Sequence, residues 1–323
     1  MAILATQRVL TLDYWKLAND IRNGDILFDR FGKPVKVTLA QQYRAQRCFE
    51  VQFNDGLTVA GDHNLKLPLE NEKYRKRAQD YKGKRKFKRP LRPTTMEKLT
   101  ELPLTGRENR KEYSVPTAGP LQFPHQSLPV PPFVVGFWFF NRKKDGMLKP
   151  SPEFDQVVRE KFRDYGYIPT KKPRFTTTPT ITSHLVPNVP VRIPNNYLLA
   201  SATQRQELLS GILHSKPRQF SKRTQRFRFT MRSRALVAQV QQLAESLGCK
   251  TVMIHNPIRK YYTVFITTKL QLTHEQTPKP IKVRQTWRLV SDIYEIKPQN
   301  CVHIETDGED STFLVGEGFI PCL

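Results

Sequence analysis

Over residues 1–70 the chain alternates apolar and polar positions with a period of two, the pattern of strands with one buried face. LFDRFGKPVKVTLA sets a Gly-Lys turn between two alternating segments, and CFEVQFNDGLTVAGD does the same around Asn-Asp-Gly. This part predicts an all-β arrangement. The period changes further on. Leu236, Val240, Leu243 and Leu247 fall on one face of a helix, as do Phe154, Val157, Val158, Phe162 and Tyr165. Both helices are framed alike, with a serine at the N-cap (Ser151, Ser233) and a glycine just past the end (Gly166, Gly248). Each is preceded by a glycine-bearing apolar segment, VVGFWFFNRKKDG around Gly136 and LLSGILHSKPRQ around Gly211. Two such units in tandem predict a pseudo-two-fold domain over about 130–283. In the second unit, RFRFTM at 226–231 alternates Arg226 and Arg228 with Phe227 and Phe229, and TVMIH and YYTVFITT flank the turn NPIRK. One face of such a sheet packs on helices. The other is either a DNA-contacting surface or merely a wet basic one.

Between these regions the pattern breaks down. KYRKRAQDYKGKRKFKRPLR, residues 73–92, carries eleven Lys or Arg against one Asp, with Tyr74, Tyr81 and Phe87 interleaved. It reads equally as an arm that neutralises phosphates and stacks rings, or as a solvated connector. The Pro-rich text SVPTAGPLQFPHQSLPVPP that follows predicts an extended tether. Charge strengthens the nucleic-acid reading: 53 Lys plus Arg against 29 Asp plus Glu give +24 over 323 residues, and the pI is near 10.0. That is the footprint of a polyanion binder, although a solubilising or ribosomal-type surface has the same composition. Cysteines at 48, 249, 301 and 322 form no CxxC pair and read as reduced thiols, and the seven histidines are scattered, so no His/Cys metal site is expected. No apolar run suits a bilayer, and MAILATQRVL is short for a secretory signal, so we expect no membrane association and a place in the host cytoplasm or within a virion.

The ordered motif IP-x-x-YL-x-AS-x-x-QR-x-x-LL-x-G, followed by SLG, resembles the second half of a LAGLIDADG homing endonuclease. The resemblance implies two motif helices packed at Gly136 and Gly211, each delivering a metal-binding acid five residues on. Those positions hold Asn141 and Lys216. An amide is a poor substitute for a carboxylate and a lysine repels a cation, so metal-assisted cleavage is expected to be lost. Asp145 is a possible substitute acid in one site. The outer regions resemble the HINT fold of phage-type inteins: VLTLDYWKLANDIRNGDILFDRFGKPVKV as the opening segment, GLTVAGDHNLKL as the block carrying His63, and CVHIETDGEDSTFLVGEGFIP as the closing block. By that resemblance Cys301 stands at the nucleophile position, with His63 or His303 as its base. The sequence departs from the family where Leu65 replaces a tryptophan and where Pro321-Cys322-Leu323 replaces a run ending in Thr-His-Asn. Splicing is therefore expected to be lost, leaving His63 a satisfied core histidine and Cys301 a small buried hydrophobe.

The expected fold class is α+β: a β-rich HINT-like module built from both termini, 1–70 and 284–323, with an inserted pseudo-two-fold LAGLIDADG-like αββαββα domain over 130–283 and the arm and tether over 71–129. The expected function is a catalytically degenerate, intein-derived protein that binds double-stranded DNA. Phosphate contacts are assigned to Lys84, Arg85, Lys86, Lys88 and Arg89, saddle contacts to Arg223, Arg226, Arg228, Arg232 and Lys260, and the former metal site to Arg142, Lys143 and Lys216. The alternatives are a recruited structural component of a phage virion or nucleoprotein assembly, partnered by phage structural proteins, and a weakly active Mg-dependent homing endonuclease. No cofactor is expected, with magnesium only if nuclease activity persists, and no small-molecule substrate.

Overall fold

The computed structural model describes residues 2–73, 75, 92–106, 110–141, 156–166, 192–215, 220–221, 226–273, 276 and 287–323. The chain divides into unit one, Met1–Gln122, Gly248–Val252 and Pro280–Leu323, and unit two, Phe123–Leu247 with Met253–Lys279. The first part contains β1 (Ala2–Leu4), β2 (Arg8–Leu10), β3 (Trp15–Leu17), β4 (Ile26–Phe28), β5 (Pro34–Arg44), β6 (Cys48–Phe53), β7 (Thr58–Asp62), β8 (Lys66–Asn71), β9 (Arg92–Thr95), α1 (Met96–Thr100) and β10 (Tyr113–Pro116). Next come α2 (Pro132–Asn141), α3 (Gln156–Asp164), α4 (Asn195–Leu198), α5 (Ala202–His214), β11 (Phe220–Ser221), β12 (Arg226–Met231), α6 (Arg234–Glu245), β13 (Lys250–Asn256) and β14 (Tyr261–Thr267). The chain closes with β15 (Trp287–Ile296), β16 (Asn300–Thr306), β17 (Phe313–Val315) and β18 (Ile320–Cys322).

Unit one is built on a ten-stranded sheet in the order β4-β5-β16-β1-β7-β6-β15-β10-β8-β9. The two ends of the sequence meet inside it: Ile3 of β1 lies opposite Val302 of β16 on one side and Gly61 of β7 on the other. Period-two patterning explains the arrangement, because inward residues such as Val35, Val37, Phe49, Val51, Phe53, Val59, Val302 and Ile304 form one continuous core. Each such side chain contributes about 1.5–3 kcal/mol on burial. At the Asn-Asp-Gly turn Gly56 takes φ 85°, a conformation that favours glycine.

Most of the expected basic arm, residues 74 and 76–91, lies outside the described residues, whereas the described remainder of 71–129, expected as arm and extended tether, contains paired strands and a short helix. β9 pairs with β8, and β10 lies between β15 and β8 with Ser114 opposite Leu289 and Glu70. Thr95 caps α1 by accepting from the Lys98 amide at 3.2 Å. The buried Arg75 donates to the carbonyls of Glu70, Lys111 and Glu112 and to Ser114 Oγ. A short strand next to proline carries little local signal, and the partners of β10 are distant in sequence.

In unit two, α2 and α5 pack at their glycines. A Cβ on Gly136 would collide with the Leu208 carbonyl oxygen, and one on Gly211 with that of Phe133, so each helix reaches the other's backbone where the other also lacks a side chain. α2 is buried from Pro132 to Phe140, and α3 sets Phe162 edge-on against Phe133 and Phe137 at 6.3 and 5.6 Å. α5 begins in a capping box between Ser201 and Gln204, and α6 begins where Ser233 accepts the Leu236 amide. Gly166 has φ 78°, as expected of a residue just past a helix. From α5 onward the elements run α5, β11, β12, α6, β13, β14, and these four strands form one sheet, β11-β12-β14-β13. Buried Arg205 on α5 fastens the end of α6 by donating from Nη1 to the Ser246 carbonyl at 2.8 Å, and from Nε to the Ala200 carbonyl at 2.8 Å. Burial draws its guanidinium pKa down to about 10. Among the described residues no helix is long and apolar enough to cross a membrane.

Candidate nucleic-acid interface

The β12–β14 pairing sorts the second unit's sheet into two faces. Phe227 lies opposite Ile266 and Phe229 opposite Val264, and all four are buried. On the reverse face Arg226 lies opposite Thr267, Arg228 opposite Phe265 and Thr230 opposite Thr263. Arg228 is exposed, while half-buried Arg226 donates from Nε to Thr267 Oγ1 at 3.2 Å and stands 6.0 Å from the Phe265 ring. Arg232, just past β12, sits 5.4 Å from the Tyr261 ring, and Lys260 closes the β13–β14 turn with φ 51°. From residue 220 to 273 the sequence holds ten Lys or Arg and a single acid, Glu245, which is buried on α6. The outward face is thus arginine, threonine and aromatic, with no carboxylate of its own to neutralise it. Phe265 and Tyr261 were not among the expected contacts; Phe265 lies opposite Arg228 in register, and Tyr261 stands beside Arg232.

Asn141 is the last residue of α2 and is half-buried. Lys84, Arg85, Lys86, Lys88, Arg89, Arg142, Lys143, Asp145, Lys216 and Arg223 lie outside the described residues. Among the described residues no group of three or more His, Cys, Asp or Glu could hold a metal.

Unit one contains a second cluster, centred on Asp62 at the end of β7. Its carboxylate accepts the Ala2 amide at 3.1 Å and the Tyr43 hydroxyl at 2.6 Å. Burial first, and Asp62 second, hold the Tyr43 hydroxyl above the ordinary phenol range. Cys301 on β16 is fully buried with Cys48, their sulfurs 4.0 Å apart in a pocket of Ala2, Leu4, Ala45 and Ala60. Burial, reinforced by Cys48, pushes its thiol well above the usual range, the opposite of what a nucleophile needs. The reading of Cys301 as a small buried hydrophobe agrees with this packing. That of His63 as a satisfied core histidine does not: the residue is half-buried, Nε2 meets Asn64 Nδ2 at 3.0 Å, and Nδ1 is buried without a hydrogen-bond partner. His303 pairs with Glu305 at 2.9 Å, and the Cys301 sulfur contacts Cys48 rather than either imidazole. Asp62 and Tyr43 carry no sequence signal of their own as a pair. Asp62 adjoins His63 in GLTVAGDHNLKL, but Tyr43 is brought in by β5–β16 pairing, which leaves no local trace.

No family model matches the chain. The replicative DNA helicase DnaB of Mycobacterium intracellulare is 28% identical over 330 residues, an alignment that covers 95% of this chain and 55% of that protein. The chain thus spans about half the length of this curated relative. Solved structures similar to parts of the chain include inteins. The MchDnaB-1 intein is 28% identical, covering 21% of this chain and 53% of that one with a TM-score of 0.20. The gp41-1 intein is 13% identical, covering 35% and 73% with a TM-score of 0.23.

Proposed function

We propose that this chain is an intein-derived protein whose second unit binds double-stranded DNA without metal-dependent cleavage. The observation that carries the reading is the reciprocal glycine packing of α2 and α5 beside an arginine-bearing sheet. In a LAGLIDADG-like arrangement that packing aligns two helices whose ends face the scissile phosphates, and the sheet lies in a groove. The residues at the corresponding sequence positions, Asn141 and Lys216, bring no carboxylate. The donor set does not fit a pair of divalent cations, which take hard anionic oxygens. Arginines on the sheet's outward face instead supply phosphate neutralisation and base-edge donors. The similarity to DnaB over most of this chain, together with the opening, His63 and closing blocks, supports an intein origin for unit one. Its buried, protonated Cys301 supports a scaffold role.

Binding to duplex DNA at several salt concentrations, with and without magnesium, tests this. The expected outcome is affinity that falls log-linearly with salt and no new DNA ends; absence of binding at low salt refutes it.

A further inference from the structure

The hairpin joining β13 to β14 has an unusual tip. From Ile254 to Lys260 every residue is exposed, Ile254 at 52% and Ile258 at 91%, the highest value for any large apolar side chain among the described residues. A lone exposed isoleucine is ordinary; the setting of this one is not. It follows Pro257, which fixes its own φ, and precedes Arg259, whose amide donates to Asn256 Oδ1 at 3.0 Å, while Lys260 holds φ 51°. The turn therefore presents Ile258 on a pinned backbone with two cations directly after it.

We propose that Ile258 is an apolar wedge that enters a base step of duplex DNA, with Arg259 and Lys260 holding the flanking phosphates. This rests on, and deepens, the reading of unit two as a duplex binder. Charge complementarity selects the occupant: the tip is cationic and free of carboxylates, and polyanionic backbone surrounds every base step. An inserted aliphatic side chain unstacks the step and kinks the duplex by roughly 20–90°. A pre-ordered turn gives up little conformational freedom on insertion, which favours a fixed tip over a loose loop.

The test uses the full chain and a short duplex labelled at both ends for energy transfer. Wild type is expected to shorten the end-to-end distance on binding. Ile258→Ser is expected to keep the salt slope, because it leaves the phosphate contacts in place, and to lose the shortening. Ile258→Leu should restore it. Circular dichroism should match for all three, since the side chain is outside the core. Binding without shortening by wild type, or shortening retained by Ile258→Ser, overturns the wedge while leaving DNA binding intact. Failure of wild type to bind overturns the reading beneath it. Self-association lost in Ile258→Ser with an unchanged DNA response assigns the tip to protein contact and also overturns the wedge.

Discussion

Gly136 and Gly211 are the residues whose replacement separates packing from chemistry most cleanly. A methyl group at either would be driven into a carbonyl of the opposite helix, so Gly136→Ala and Gly211→Ala should each cost about 1–3 kcal/mol or more, read as a lowered thermal midpoint. Equal midpoints for variant and wild type would deny the close approach. Cys301 yields a pH prediction. Its folded pKa is raised above the ordinary thiol value of about 8.5, so the folded state keeps a proton that the unfolded chain releases as pH rises. Its contribution to stability is full below that pH and declines above it. Thermal unfolding from neutral to alkaline pH should show a steeper loss for wild type than for Cys301→Ala. Native-state alkylation of Cys301 should be slow at all these values and fast after unfolding. Neither Cys301→Ala nor His63→Ala should change DNA affinity. The glycine pair was legible through the LAGLIDADG resemblance, which implies close helix packing at both; each glycine sits midway along an apolar segment, where helix propensity alone disfavours it. Asp62 and Tyr43 were not legible, because their meeting depends on β5, β7 and β16 lying together in one sheet.

The described helices and strands of the second copy mostly declared themselves, while the strands expected in the first copy fall within 167–191, outside the described residues. Ser233 at a cap, Gly166 past a helix end and the alternation of RFRFTM each fix backbone geometry through their own neighbours. The strand at Tyr113–Pro116 was hidden by Pro-rich surroundings and by partners in β8 and β15. At this scale Arg205 joins α5 to the end of α6, and Arg205→Ala would leave the Ser246 and Ala200 carbonyls without that donor. The expected cost is about 1–3 kcal/mol, seen as a lower urea midpoint with an unchanged m value. On β12, Arg226→Gln and Arg228→Gln should weaken DNA binding, each reducing the salt slope by about 1 if its contact is to phosphate. A loss of sequence preference with the slope kept would assign it to a base edge. Arg226 should give the smaller effect, because its Nε is already engaged by Thr267.

For the whole molecule, a net charge of +24 makes affinity for polyanions expected and sequence preference the informative quantity. Both ends of the chain meet in unit one, with β1 beside β16, while the second unit's motif positions carry Asn141 and Lys216 in place of acids. The proposed reading, a β-rich body with a derived, non-cutting insert, accounts for both. The most direct measurement is incubation with a randomised duplex library across a salt series, with and without magnesium, sequencing bound molecules and new ends together. A non-cutting duplex binder should show salt-dependent binding that enriches a site and yields no magnesium-dependent ends. New ends that require magnesium and vanish in Asp145→Ala would contradict it, as would a failure to bind duplex DNA at low salt.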